Sequence, residues 1–118
     1  VKATCVGEIL PAEDFYTFDA KYNNAQSRVI IPAEIAAEKQ EEIKKLAIKA
    51  FKAVDGKGLS RVDFFIRKDN NKVYINEINT LPGFTQISMY PKLWEECKIE
   101  YSKLLDKLIE LAWNYLKP

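Results

Sequence analysis

Apolar positions recur every three to four residues over one long stretch of this chain and alternate in shorter runs around it. From Ala33 to Val54, residues Ile43, Leu46, Ala47, Ala50, Phe51 and Val54 share one helical face, with Glu and Lys on the other. Glu41 and Lys45 support that helix at i,i+4 spacing, whereas Glu34 and Glu38 repel mildly; the charge run Glu38 to Lys45 reads as its solvated face. Gly56 and Gly58 follow, and glycine readily adopts the left-handed conformation that ends a helix. A short helix is predicted over Ser88 to Cys97, with Ser88 as a reasonable N-cap and Pro91 in the first turn, where its missing N–H costs nothing. A second amphipathic helix runs from Tyr101 through Leu104, Leu105, Leu108, Ala112 and Tyr115 to the C-terminus. Trp94, Tyr101, Trp113 and Tyr115 are expected to pack as helix core.

Strand patterns cover Val1 to Ile9 and Ser27 to Ile31, the latter closed by Pro32. Between them, Phe15, Tyr16, Phe18 and Tyr22 lie among Asp, Asn and Thr in a predicted surface loop, with Asp19 to Gln26 expected to be mobile. Leu59 to Lys68 and Lys72 to Asn79 flank Asp69-Asn70-Asn71 as a hairpin, and Thr80 to Thr85 is a turn broken by Pro82-Gly83. The predicted order is ββ-α-ββ-αα, an α+β fold with helices packed on an antiparallel sheet.

At 118 residues the chain is one domain's worth, able to bury roughly two-thirds of its unfolded surface. Eighteen Lys and Arg against 17 Asp and Glu give a net charge of +1, so no global field draws nucleic acid or anionic lipid. There is no apolar run of membrane-spanning length and no signal-peptide pattern, which makes a cytoplasmic chain the default expectation. Cys5 and Cys97 are too few for a disulfide framework. Histidine is absent, which removes Ser-His and Cys-His nucleophiles and His-ligated zinc. The sole methionine is Met89, so Val1 reads as an internal residue of a longer protein.

The chemistry concentrates in the second hairpin. Residues two apart on a strand share a face, so Arg61 joins Asp63 and Glu77 joins Asn79. A three-residue loop at Asp69 to Asn71 would set Lys68 opposite Lys72, and hence Asp63 opposite Glu77 and Arg61 opposite Asn79. The other face would then hold Val62, Phe64, Ile66, Tyr74, Asn76 and Ile78. A two-residue turn would separate the polar pairs, so an odd loop is expected. Facing carboxylates repel unless a cation stands between them. Asp, Glu and an Asn carbonyl offer hard oxygens that suit Mg²⁺, which commonly completes its shell with water and nucleotide phosphates. Arg61 could neutralise phosphate or a developing oxyanion. An ordinary ion-pair ladder on an exposed sheet face satisfies the same spacing.

Arg61-Val62-Asp63, then Asn76-Glu77-Ile78-Asn79-Thr80-Leu81-Pro82-Gly83-Phe84-Thr85, then Ser88-Met89-Tyr90-Pro91, closely resembles the C-terminal part of D-alanine–D-alanine ligases, members of the ATP-grasp superfamily. Phe15-Tyr16-Thr17-Phe18-Asp19-Ala20-Lys21-Tyr22 resembles the mobile loop of that family, so the likeness spans nearly the whole chain. The resemblance implies that Asp63, Glu77 and Asn79 ligate Mg²⁺ (or Mn²⁺), with Glu77 bridging two ions. It implies phosphate and nucleotide contacts for Lys21, Asn76 and Glu77, and oxyanion stabilisation by Arg61 and the Gly83 backbone N–H. Ser88 and the Met89 backbone would hold the carboxylate of the second substrate, and Tyr22 would close over the site.

The reaction so implied joins two D-alanines with ATP as co-substrate, through a D-alanyl phosphate, for peptidoglycan precursors. Tyr22 and Met89 lean toward D-alanine rather than D-lactate or D-serine as second substrate. By the same resemblance, residues 1–118 form only the C-terminal ATP-grasp subdomain. The N-terminal and central lobes are expected as its missing partners, a homodimer is allowed for the full enzyme, and the isolated chain is expected to be inactive. Two other readings remain open: another ATP-grasp carboxylate–amine ligase, and a non-catalytic interaction module on a similar fold.

Overall fold

The computed structural model describes residues 1–10 and 28–116. Its elements are β1 (Glu8–Leu10), β2 (Arg28–Ile30), α1 (Ala37–Ala53), β3 (Arg61–Ile66), β4 (Val73–Asn79), α2 (Met89–Glu96) and α3 (Tyr101–Leu116). The order is the predicted ββ-α-ββ-αα and the fold is α+β. Among the described residues, however, the single expected sheet is two separate antiparallel pairs, β1 with β2 and β3 with β4. Lys21, Tyr22 and the expected mobile segment lie outside the described residues.

α1 begins four residues later than its periodicity suggests, because the chain before it is held from outside. Ala33 N–H donates to Val6 C=O at 2.7 Å, and Glu34 N–H donates to Glu8 Oε1 at 3.1 Å. Ala36 is the N-cap and supplies no capping side chain. At the other end, Gly56 N–H donates to Phe51 C=O and Asp55 N–H to Lys52 C=O, a Schellman closure. The left-handed residue of this closure is Asp55, at φ 55°, and not a glycine as expected. Gly56 is required for a different reason, since a Cβ there would run into the Phe51 ring.

α1 packs its apolar face, centred on buried Ile43, against β3 and β4. Among the described hydrophobic residues, Ala33, Ile43, Tyr90 and Leu104 form the buried core. The expected aromatic helix core is half right. Tyr101 donates its hydroxyl to Phe84 C=O at 2.6 Å and meets the Phe84 ring edge-on, and Trp94 is half-buried. Trp113 and Tyr115 are 66% and 69% exposed. The reason is length: α2 has 8 residues and α3 has 16, so at ~1.5 Å per residue α2 covers only the first half of α3.

The β3–β4 hairpin reaches the expected pairing by an unexpected route. Arg67 N–H donates to Lys72 C=O at 3.0 Å, so the loop is residues 68–71, four long and even, and not the three predicted. Asn71 turns it at φ 55°, Asn70 Oδ1 accepts from Lys72 N–H, and Arg67 pairs with Asp69. Near the loop the pairs are Ile66 with Val73, Phe65 with Tyr74 and Phe64 with Ile75. Beyond it they are Asp63 with Glu77, Val62 with Ile78 and Arg61 with Asn79. Asn76 has no partner: it is a β-bulge, and its extra residue cancels the error in loop length. Two face assignments are thereby corrected. Tyr74 stands opposite Phe65, on the face of Asp63, and Val73 and Ile75 take the places expected of Tyr74 and Asn76 opposite Ile66 and Phe64.

Candidate active site

Arg61, Asp63, Glu77 and Asn79 form a two-by-two block on one face of the hairpin, because opposite residues share a face and so do residues two apart. The Arg61 fork takes both oxygens of Asp63, Nε to Oδ1 at 2.9 Å and Nη2 to Oδ2 at 3.0 Å. The same Nη2 stands 3.9 Å from Glu77 Oε1. Arg61 and Asp63 side chains are each 31% exposed and Glu77 is 56% exposed, so the block opens to solvent on the Glu77 side. The hydrogen bonds to Asp63 raise the Arg61 pKa above its already high ordinary value; partial burial opposes this, and the charges of Asp63 and Glu77 add to it. Arg61 is thus the cation between two carboxylates. The ion-pair ladder is present, and it occupies the residues expected to hold metal.

The donor set still fits a hard divalent ion. A carboxylate has about four lone-pair positions, and the Arg61 fork uses two of those on Asp63. Asn79 Oδ1 accepts from Leu81 N–H at 3.1 Å, which fixes the amide and leaves its second lone pair free. Among the described residues no cluster of three or more His, Cys, Asp and Glu side chains forms a metal site, so any ion here would rest on two carboxylates and an amide. That set, with open coordination positions, suits Mg²⁺ held jointly with substrate oxygens. Asn76 and Glu77 together stand opposite Asp63, and bulges of this kind re-aim side chains beside active sites.

The turn started by Asn79 leads to a second group. Gly83 approaches Ser88 so closely that a Cβ there would lie 3.1 Å from Ser88 Oγ. Ser88 is the N-cap of α2 by position, but its hydroxyl does not cap the helix. Instead Ser88 Oγ accepts from Thr85 N–H at 3.0 Å and pairs with Thr85 Oγ1 at 2.8 Å, while Ser88 N–H donates to Thr85 C=O at 3.0 Å. Met89 opens α2, where a backbone N–H has no partner within the helix. Its side chain turns away toward Gly7, where a Cβ would lie 2.8 Å from Met89 Cε. The loop between is anchored by Phe84, which packs on Tyr90 with ring centroids 5.6 Å apart and on Tyr101 at 5.4 Å. Burial raises the Tyr90 pKa, against a hydrogen bond with Trp94.

The structure therefore brings Arg61, Asp63, Glu77 and Asn79 together, and Gly83 and Ser88 together. Sequence reasoning missed Thr85 as the group that holds Ser88 and Phe84 as the anchor of the loop. Both lie inside the quoted motif, but no spacing rule marks either.

Residues 1–110 match the family described as D-ala D-ala ligase C-terminus. The chain is 59% identical over 113 residues to D-alanine–D-alanine ligase B of Clostridium tetani, covering 96% of this chain and 32% of that protein. The D-alanine–D-alanine ligase structure from Coxiella burnetii superposes at a TM-score of 0.80 with 42% identity, covering 97% of this chain and 28% of that one. The Bacillus anthracis D-alanine–D-alanine ligase complexed with ATP gives a TM-score of 0.70 with 34% identity, over 77% of this chain and 31% of that one. This chain thus spans about a third of the length of the curated relatives it matches. Both clusters of candidate residues fall inside the matched stretch, and the chain belongs to the D-alanine–D-alanine ligase C-terminal family.

Proposed function

We propose that this chain is the C-terminal, phosphate- and metal-binding part of an ATP-dependent D-alanine–D-alanine ligase that makes a peptidoglycan precursor in the cytoplasm. The observation that carries this reading is the pairing of Asp63 with Glu77, beside Arg61 with Asn79, on one face of the hairpin. The named activity of its relatives and the ATP held by one of them support it. No helix among the described residues is long and apolar enough to cross a membrane.

Asp63, Glu77 and Asn79 would hold Mg²⁺, which when bound neutralises the triphosphate and its leaving group. The first D-alanine carboxylate attacks the γ-phosphorus of ATP, and ADP leaves. The amine of the second D-alanine then attacks the carbonyl carbon of the D-alanyl phosphate, and phosphate leaves. Arg61 and the Gly83 N–H stabilise the oxyanion of that step, each such donor lowering the barrier by about 3 kcal/mol. Ser88 and the Met89 N–H receive the second D-alanine's carboxylate, as helix N-termini receive anions. Asn76 contributes to phosphate binding next to Glu77. Lys21 and Tyr22 belong to a loop that closes over phosphate and substrate and keeps water from the acyl phosphate.

A chimaera tests this reading. The first two-thirds of the Clostridium tetani relative are joined to this chain, and ADP release is followed with D-alanine, ATP and Mg²⁺. Release that requires D-alanine supports the reading; a folded chimaera without D-alanine-dependent release contradicts it. The isolated chain should give no release above background.

A further inference from the structure

Thr85 holds Ser88 by backbone and side chain together. Ser88 N–H donates to Thr85 C=O at 3.0 Å, Thr85 N–H donates to Ser88 Oγ at 3.0 Å, and the two hydroxyl oxygens stand 2.8 Å apart. The peptide unit that carries the Thr85 N–H is also held at its other end, where Phe84 C=O accepts from the Tyr101 hydroxyl at 2.6 Å. Bonds at both ends fix the plane of that peptide, and each strengthens the other by polarising it. A serine hydroxyl has one proton and two acceptor positions, and Thr85 N–H fills one acceptor position of Ser88. The hydroxyl pair then has two proton arrangements. If Ser88 donates to Thr85, no Ser88 proton is left for a ligand. If Thr85 donates, both acceptor positions of Ser88 are filled and its own proton points away from Thr85. An ionised carboxylate only accepts, so the second arrangement alone lets Ser88 bind one. It also leaves the lone pairs of the exposed Thr85 in water, while the proton goes to the half-buried Ser88. Gly83 keeps the approach to Ser88 Oγ open, since a Cβ there would lie 3.1 Å from it.

We infer that Thr85 is a positioning residue for the second substrate: its hydroxyl donates to Ser88 Oγ and so commits the Ser88 proton to the substrate carboxylate. Thr85 acts through Ser88 and does not itself touch the substrate. The inference rests on the ligase reading, in which Ser88 receives the carboxylate of the second D-alanine, and adds how that hydroxyl is set as a donor. Tyr101, from α3, supports the same arrangement by holding the peptide that aims the Thr85 N–H at Ser88.

The test measures D-alanine-dependent ADP release by the chimaera carrying Thr85→Val, Thr85→Ala, Thr85→Ser, Ser88→Ala, or Thr85→Val with Ser88→Ala. Thr85→Val keeps the branched shape and the backbone N–H and removes the hydroxyl. It should raise KM for the second D-alanine roughly tenfold and leave kcat within about threefold, because the lost bond to a charged group serves ground and transition states alike. Thr85→Ala should match it. Thr85→Ser, which retains the hydroxyl, should bring KM back to within about threefold of the unmodified value. In the Ser88→Ala background, Thr85→Val should raise KM no further, because its path to the substrate is gone. A structural role would add its penalty in both backgrounds, and that result overturns the inference. So does a Thr85→Ser as impaired as Thr85→Val, or an unchanged KM in Thr85→Val beside a raised one in Ser88→Ala; in both cases the ligase reading stands. An unchanged KM in Ser88→Ala, or a folded chimaera without D-alanine-dependent release, overturns the inference together with the reading it rests on.

Discussion

Arg61 clasps Asp63, its neighbour two residues along the same strand, through two hydrogen bonds of 2.9 and 3.0 Å. The clasp fixes Asp63 on the face where Glu77 stands opposite, but it also places a fixed positive charge beside both carboxylates. Arg61 and a divalent ion therefore compete for the same oxygens.

Arg61→Met removes that competitor. Mn²⁺ binding by the chain should tighten by roughly threefold to tenfold, since one nearby unit charge at a half-exposed site is worth about 1 kcal/mol. In the chimaera the same substitution should lower D-alanine-dependent turnover by about 10²–10³, the usual loss for an oxyanion donor. Calorimetric Mn²⁺ titration and the ADP assay check the two halves. Weaker Mn²⁺ binding would show that Arg61 positions Asp63 for metal and does not compete with it.

Gly83→Ala should leave the fold intact and disturb Ser88. The added Cβ lies 3.1 Å from Ser88 Oγ, which must move by a few tenths of an ångström and strain its bonds to Thr85. The expected outcome in the chimaera is a rise of about tenfold in KM for the second D-alanine, with the urea midpoint of the chain nearly unchanged. Equal KM values would remove Ser88 from the substrate site.

Deleting Asn76 tests how the register is set. Without the bulge, Phe64 can still face Ile75 and Asp63 can still face Glu77 in a regular ladder. Cross-strand HN–HN contacts between Asp63 and Glu77, a hydrogen-bonded pair in that ladder, should persist in NMR spectra. Transfer of the Glu77 contact to Val62 would mean that the loop, and not the bulge, governs the pairing.

Stability should fall in alkali. Burial raises the Cys5 pKa from 9.0 and the Tyr90 pKa from 10.0 in the folded chain. The folded state then holds protons that the unfolded state releases, so this contribution is intact below pH 9 and is lost as pH climbs through the raised values. Urea midpoints measured from pH 8 to 11 should decline, and less steeply in the double variant Cys5→Ser, Tyr90→Phe. The Arg61–Asp63 pair adds no slope in this window, because the guanidinium pKa is raised from a value already above it.

The element order and the pairing of Asp63 with Glu77 were legible in the residues; the means of reaching that pairing was not. An odd loop with a regular ladder and an even loop with one bulge leave identical pairs at Arg61 and Asp63, and the run Asp69-Asn70-Asn71 accepts either turn. Asn76, polar between Ile75 and Glu77, was the one residue that could have marked the bulge. Trp113 and Tyr115 were misread for another reason. Helical periodicity shows which face is apolar, whereas its burial depends on how far the neighbouring helix extends, and α2 stops halfway along α3. Ser88 was legible as a helix start but not as the partner of Thr85, since a hydroxyl can bond forward into the helix or back into the turn with equal ease.

Mn²⁺ added to the ¹⁵N-labelled chain, followed by paramagnetic broadening of its amide signals, asks most directly whether the hairpin face binds a divalent ion. Broadening centred on Asp63, Glu77 and Asn79, and abolished by Glu77→Gln, is the expected result. Undisturbed signals at those three residues, or broadening centred elsewhere on the chain, would leave the Arg61 ladder as a structural feature and contradict the proposed metal site.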